Sequence, residues 1–345
     1  MNKYTIKTVI TTAYSPDDEG VFIAADAIKR GKLAVIPTET VYGLAANALD
    51  EKAVENIFIA KGRPQDNPLI VHISDMEMLN SVAAEIPESA SALAKRFWPG
   101  PLTMIFRKKD VVPFRVTAGL ETVAVRFPEN EIARAVIRAA GVPVAAPSAN
   151  ISGRPSITCA KYCKDELGGK VDVILESFDC KFGVESTVIT FIENGVKILR
   201  PGAVSPELLR QVVDNVEIDP AVLSEIKPDQ KVSSPGMKYK HYAPKAEITI
   251  LDCTREKYIE FINASQERFA LCFDEDIPEI ANGRAVSYGS CSQPLSMAHN
   301  LFDALRELDA RGAKQVFARK PPIEGIGLAV YNRLLRAAAF REISF

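Results

Sequence analysis

Apolar and polar positions alternate along the chain in two rhythms. Short apolar runs over 33–36, 69–73, 102–106, 122–127, 142–146, 171–175, 186–191 and 196–199 end in glycine, proline or polar residues, as buried strands do. Between them, 21–29, 51–60, 88–97 and 131–140 carry apolar residues at helical spacing. Asp50 is placed to cap the second of these helices, and Gly31 and Gly141 stand just past the ends of the first and last. The stretch between Gly43 and Asp50 reads as a short loop, and Ser205 with Pro206 opens a short helix through Val213. The strand over 33–36 empties into Pro37-Thr-Glu-Thr-Val-Tyr-Gly43. Such an exit is either a turn shaped by threonine and proline or the wall of a ligand site, since open α/β sheets bind ligands beyond the carboxyl ends of their strands.

The rhythm breaks from Asp214 to Lys245, where Pro220, Pro228, Pro235 and Pro244 accumulate, and this stretch reads as a linker. Its Met237-Lys-Tyr-Lys-His-Tyr-Ala-Pro244 segment interleaves aromatics with cations, which fits either a solvated basic connector or a segment that docks on an anion. Strands over 247–251, 269–273, 285–288 and 315–318 then alternate with helices over 257–266, 296–311 and 326–340. The middle helix carries the stripe Leu301, Ala304, Leu305, Leu308 between a Ser296 cap and Gly312. The alternation predicts a smaller α/β domain with a parallel sheet. The expected organisation is a catalytic domain over 15–213, a linker over 214–245 and a C-terminal domain over 246–345.

Composition narrows the function classes. With 345 residues, 47% hydrophobic and 25% charged, the chain can bury sizeable cores. A net charge of -2 argues against a general nucleic-acid binder such as a double-stranded RNA module, so no stable nucleic-acid binding is expected. The residues from Met1 to Tyr14 lack the continuous apolar segment of a signal peptide or membrane span, so a cytoplasmic enzyme without membrane association is expected. The six cysteines form no CxxC pair and read as reduced thiols. Three scattered histidines, with no cysteine or histidine pair at zinc spacing, suggest no metal site made by protein alone. GxxxxGK[ST] is absent, and Gly325-Ile-Gly327 lacks the third glycine of a dinucleotide fingerprint.

The strand exits of the first domain do carry chemistry. They hold hydroxyls (Thr38, Thr117, Ser148, Ser186), cations (Lys61, Arg63, Arg126, Arg200) and amides (Asn67, Asn150). Arginine offers a planar fork to phosphate oxygens and lysine a point charge, so these groups around one cleft could hold a triphosphate without a Walker loop.

Six ordered motifs then bring a family into view: Pro37 to Leu44, Ala60 to His72, Trp98 to Thr103, Ala146 to Asn150, Gly183 to Thr187 and Leu199 to Gly202. Together they resemble the YrdC-like threonylcarbamoyl-AMP synthases, and Ser234 to Pro244 with the C-terminal α/β region resembles the long, two-domain Sua-type branch. The resemblance implies a twisted open α/β sheet domain followed by a smaller Rossmann-like parallel α/β domain. It implies that L-threonine, bicarbonate and ATP become threonylcarbamoyl-AMP and pyrophosphate, for modification of tRNA beside the anticodon by a downstream threonylcarbamoyl transferase machinery. Thr38, His72, Ser186 and Arg126 would then hold threonine, although Arg126 could serve either substrate. Lys61, Arg63, Asn67, Thr117, Ser148, Asn150 and Arg200 would hold ATP, with Lys61 and Arg63 countering charge at the reacting phosphates. Mg2+ would arrive with ATP, and the linker would fold over the nucleotide as a lid with Tyr242 against it. A related enzyme acting on carbamoyl phosphate would be expected to carry zinc-finger-like or acylphosphatase-like modules, which are not visible in this sequence.

Overall fold

A computed structural model describes residues 6–225, 242–281 and 283–345. The basic, aromatic stretch expected to act as a lid lies outside the described residues up to His241; Tyr242 lies within them.

Two sheets organise the described residues. The larger has eleven strands, in the order Val9–Thr12, Val173–Glu176, Ala34–Ile36, Gly43–Asn47, Val144–Ala145, Ile70–His72, Thr122–Arg126, Leu102–Arg107, Thr187–Ile192, Gly195–Arg200 and Asn215–Ile218. Parallel and antiparallel pairs are mixed within it. The smaller sheet is parallel throughout its five strands, ordered Ala285–Ser287, Arg268–Cys272, Gln315–Arg319, Glu247–Asp252 and Glu342–Ser344. Helices cover these sheets because their apolar stripes need burial. Glu131–Ala140, for example, buries Ile132, Ala133, Val136, Ile137 and Ala140 against Glu19–Lys29. The helix Glu51–Lys61 starts where the Asp50 carboxylate accepts from the Lys52 and Ala53 amides and ends at Gly62 in the left-handed region.

Several local expectations change. The stretch after Gly43 is not a loop but the strand Gly43–Asn47, which folds back antiparallel on Ala34–Ile36. This makes the Pro37-to-Tyr42 exit the connection of a hairpin, so both of its ends are held in the sheet. The linker expected from Asp214 begins with a strand, Asn215–Ile218, parallel to Gly195–Arg200. The helix expected through Val213 is short, Pro206–Leu209, though Ser205 caps it as expected. Ser296 is not a cap, because its helix starts two residues earlier as Pro294–Ala310. The Ser296 hydroxyl instead donates to the Gln293 carbonyl and accepts from the Ser290 amide.

The two sheet units meet over polar and apolar contacts. Arg306 pairs with Glu166 at 2.6 Å, and the Thr158 hydroxyl donates to Asp303 at 2.8 Å. Gly183 has a positive φ of 74° and lies so close to the helix Pro294–Ala310 that a Cβ there would sit 2.5 Å from the Ala298 carbonyl oxygen. Strain and overlap with backbone atoms add, so Gly183→Ala should cost about 2 kcal/mol or more. A urea-unfolding midpoint unchanged from the parent would contradict this packing.

Candidate functional site

Five strand exits and one helix end converge on one pocket. The hairpin connection contributes Thr38, Thr40 and Val41; the end of the helix Glu51–Lys61 and the loop after it contribute Lys61 and Arg63. The neighbouring strands Ile70–His72 and Thr122–Arg126 end in His72 and Arg126. Ser148, Asn150, Arg154, Glu185, Ser186, Arg200 and Tyr242 are also among its lining residues. Two sequence candidates lie elsewhere: Asn67 and Thr117 are buried but do not line the pocket. The Asn67 carbonyl accepts from Arg63, while its side-chain amide lacks a hydrogen-bond partner. The Thr117 hydroxyl makes a long 3.5 Å contact with the Phe114 carbonyl.

Burial sets the electrostatics. Lys61 is 1% exposed, and desolvation, helped by the nearby Arg63 charge, lowers its pKa to about 7. Its ammonium donates to the carbonyls of Ser148 and Asn150, which ties the helix end to the loop after Val144–Ala145. Burial also lowers Arg63 and Arg200 to about 10. His72 falls to about 3, through burial and then through Arg126, so its ring is neutral across the physiological range. The ring Nδ1 lies 3.3 Å from the Ile70 carbonyl; donation there leaves Nε2 as an acceptor.

Two buried carboxylates answer part of this positive charge. Glu39 Oε1 lies 2.7 Å from Arg126 Nη2, at ion-pair distance but off the hydrogen-bond direction. Burial opposes the charge on Glu185, yet Arg333, Arg200 and the Ser156 hydroxyl together hold its pKa below the usual carboxylate value. Arg200 Nη2 donates to the Ser186 hydroxyl at 3.1 Å, and its Nε donates to the Ser186 carbonyl. Ser186 also shares a hydrogen bond with Thr103 at 2.8 Å. Four largely buried cations beside two buried carboxylates leave the pocket net positive. Polar atoms of its lining residues also lack hydrogen-bond partners: Asn150 Oδ1, Arg63 Nε and Arg126 Nε. An anionic ligand with donors and acceptors of its own would satisfy both deficits.

Thr38 is less available than the sequence suggested. Its hydroxyl donates to the Val41 carbonyl at 2.6 Å and lies within bonding distance of the Thr40 and Val41 amides. It closes its own turn. Thr40, which the sequence reading set at this exit without giving it a role, accepts from Arg126 Nη1 at 2.9 Å. Its place two residues beyond Thr38 at the same exit was the available signal. Glu185 was likewise given no role although it precedes Ser186 in Gly183-Val-Glu-Ser-Thr187. Among the described residues no group of three or more His, Cys, Asp or Glu could hold a metal, and no helix is long and apolar enough to cross a membrane.

Comparison with known proteins gives this geometry a context. Residues 26–202 match the family described as Telomere recombination, and residues 204–339 match that described as Threonylcarbamoyl-AMP synthase, C-terminal domain. The threonylcarbamoyl-AMP synthase of Pyrococcus abyssi is 45% identical over 93% of this chain and 94% of its own. That of Bacillus subtilis is 40% identical over 97% of both. The crystal structure of P. abyssi Sua5 complexed with L-threonine has a TM-score of 0.90 at 43% identity, covering 98% of this chain and 100% of that one.

The Lys61 environment has a measurable consequence. Above pH 7 its amine is largely neutral in the open pocket, and a bound polyphosphate should restore the charged form. Inorganic tripolyphosphate binding at pH 8 should therefore take up about one proton, and less at pH 6 where the proton is already in place. Calorimetry in buffers of different ionisation enthalpy reads the uptake. Equal uptake at both pH values, or in Lys61→Met, would rule this out.

Proposed function

The chain belongs to the threonylcarbamoyl-AMP synthases, and from that premise we propose that its pocket joins L-threonine, bicarbonate and ATP into threonylcarbamoyl-AMP and pyrophosphate. The observation that carries the reading is the set of buried cations, Lys61, Arg63, Arg126 and Arg200, gathered with Ser186 and Ser148 around one cleft. The amine of threonine takes up the carbon of bicarbonate with loss of water. A carbamate oxygen then displaces pyrophosphate from the α-phosphorus of ATP. The enzyme is thus an adenylyl transferase whose product is the activated donor for tRNA modification, handed to a downstream transferase.

Residue roles follow from placement. Arg126, His72 and Ser186 hold threonine: the guanidinium meets its carboxylate, and the neutral His72 and the Ser186 hydroxyl offer hydrogen bonds. Thr38 belongs to the same wall but acts by fixing the turn that presents Thr40. Lys61, Arg63, Ser148, Asn150 and Arg200 hold ATP, the cations countering charge as it builds on the α-phosphate and the departing pyrophosphate. Asn67 acts through Arg63, and Thr117, buried outside the pocket lining, takes no direct part. Mg2+ comes bound to the ATP phosphates, because Glu39 and Glu185 already have arginine partners and offer no separate cage. Tyr242, buried at the pocket and 5.2 Å from Phe302 between ring centroids, closes the side where the carbamate must be kept from water.

Purified protein with ATP, bicarbonate and labelled threonine should release pyrophosphate only when threonine is present, with label in an AMP adduct. Pyrophosphate release independent of threonine would sink the reading. Lys61→Ala should lower kcat/KM for ATP by about 10- to 150-fold, the worth of a charge-assisted hydrogen bond of about 1.5–3 kcal/mol. Thr38→Val should instead raise the KM for threonine; equal losses toward both substrates would undo the division of roles. Tyr242→Ala should increase free threonylcarbamoyl-AMP or its breakdown products in solution, and unchanged synthesis and leakage would refute the closing role.

A further inference from the structure

The most completely buried large side chain near the pocket comes from the other sheet unit. Arg333, on the helix Gly327–Ala337, has no solvent exposure. Its Nε donates to Glu185 Oε2 at 2.8 Å and its Nη1 to the Pro201 carbonyl at 2.9 Å. Its Nη1 also donates to Asn332 Oδ1 at 2.8 Å, and Nη2 to the Glu185 carbonyl at 3.3 Å. The Asn332 amide in turn donates to the Val222 carbonyl at 2.7 Å. One guanidinium thus grips the residue before Ser186 by both its side chain and its backbone, and also grips the residue after Arg200. Ser186 and Arg200 are hydrogen-bonded to each other and both line the pocket.

We propose that Arg333 is a positioning residue for adenylate formation: by clamping Glu185 and the Pro201 carbonyl, it makes docking of the C-terminal unit a condition for aligning Ser186 and Arg200 with substrate. The proposal rests on the synthase reading above. Arg333 does not itself line the pocket; it acts through Glu185, which does, and through the Pro201 carbonyl beside Arg200. A fork is needed because four acceptors in different directions must be met at once, which an ammonium on a flexible stem does poorly. The groups facing Glu185 are Arg333 on its helix, Arg200 at a strand end, Ser156 in the loop before Ile157, Lys61 at the end of its helix and Tyr242. Removing Arg333 leaves that carboxylate with less compensation, so it should protonate at higher pH.

The full chain and its Arg333→Met, Arg333→Lys, Glu185→Gln and Glu185→Gln/Arg333→Met variants are compared by threonine-dependent pyrophosphate release and thermal unfolding. Arg333→Met should lose about tenfold or more in kcat, as misaligned reacting groups do, with the KM for threonine changed less than about threefold. The acid limb of its kcat profile should shift to higher pH. Arg333→Lys should keep the limb in place but recover only part of kcat. The double variant, which removes the unpaired buried charge, should regain melting temperature without regaining kcat. If the double variant recovers both, or if Arg333→Met keeps its kcat and its pH limb, Arg333 is structural only. Should Arg333→Met not fold, Arg333→Lys decides: full kcat overturns the proposal, and a partial loss without a fall in melting temperature supports it. Absence of threonine-dependent release in the parent protein would instead fail the synthase reading itself.

Discussion

Taking Lys61, Arg63, Arg126 and Arg200 out of water is the costly act around which this molecule is arranged. Each loses hydration that a protein interior returns only through nearby acceptors, and the lowered pKa values of Lys61, Arg63 and Arg200 measure the shortfall. Backbone carbonyls answer part of it: Ser148 and Asn150 receive Lys61, Asn67 and Pro68 receive Arg63, and Ser186 receives Arg200. Glu39 and Glu185 answer more. The remainder is left for a ligand. A site of this kind needs rigid walls, because a mobile one would let the cations swing back to water. Rigidity here comes from strands: the hairpin connection is held at both ends, and the His72 and Arg126 exits lie side by side on paired strands.

The same requirement accounts for the second sheet unit. The Glu185 carboxylate would be a poor partner for Arg200 if it could rotate away, and among the described residues of the first unit the Ser156 hydroxyl is its hydrogen-bond donor. Arg333 provides the rest. A buried pair of this sort seldom adds much net stability, since the desolvation of both ions offsets their attraction. What it adds is a defined position, because the fork bonds only in one orientation. The surrounding contacts, Arg306 with Glu166 and Gly183 against the helix Pro294–Ala310, fix how the units dock and hence where that fork lies.

Much of this was legible in the sequence, and the omissions have physical causes. Strand exits could be found because parallel and central strands are apolar throughout and stop abruptly at polar residues. Gly43–Asn47 escaped notice since Gly-Leu-Ala-Ala-Asn lacks the β-branched and aromatic residues that mark strands, and only its pairing with Ala34–Ile36 makes it one. Asn215–Ile218 is an edge strand whose burial is slight, so its pattern resembles that of a loop. Thr38 was read as a contact on the strength of its exit position, but a threonine hydroxyl can turn back onto its own backbone, and only coordinates tell which it does. Arg333 was invisible for a related reason. An arginine within a helix reads as solvated, and its burial depends on a carboxylate about 150 residues away in sequence, at 148 positions' separation.

The chemistry assigned to the pocket explains why positions matter more here than reactive groups. A carbamate in water falls apart, so the site must bring three reactants together and exclude solvent until pyrophosphate has left. No nucleophilic side chain is required, and among the lining residues the histidine is neutral, Lys61, Arg63 and Arg200 already hold backbone partners, and Arg126 is held by Thr40 and Glu39. What remains for the protein to supply is fixed charge at fixed places. Lys61 differs from its arginine neighbours: burial brings its pKa down to about 7, whereas Arg63 and Arg200 are lowered only to about 10 and stay charged. In the proposed reaction, a lysine poised near neutrality among arginines that stay charged would gain its proton as the triphosphate binds and give it up as pyrophosphate leaves.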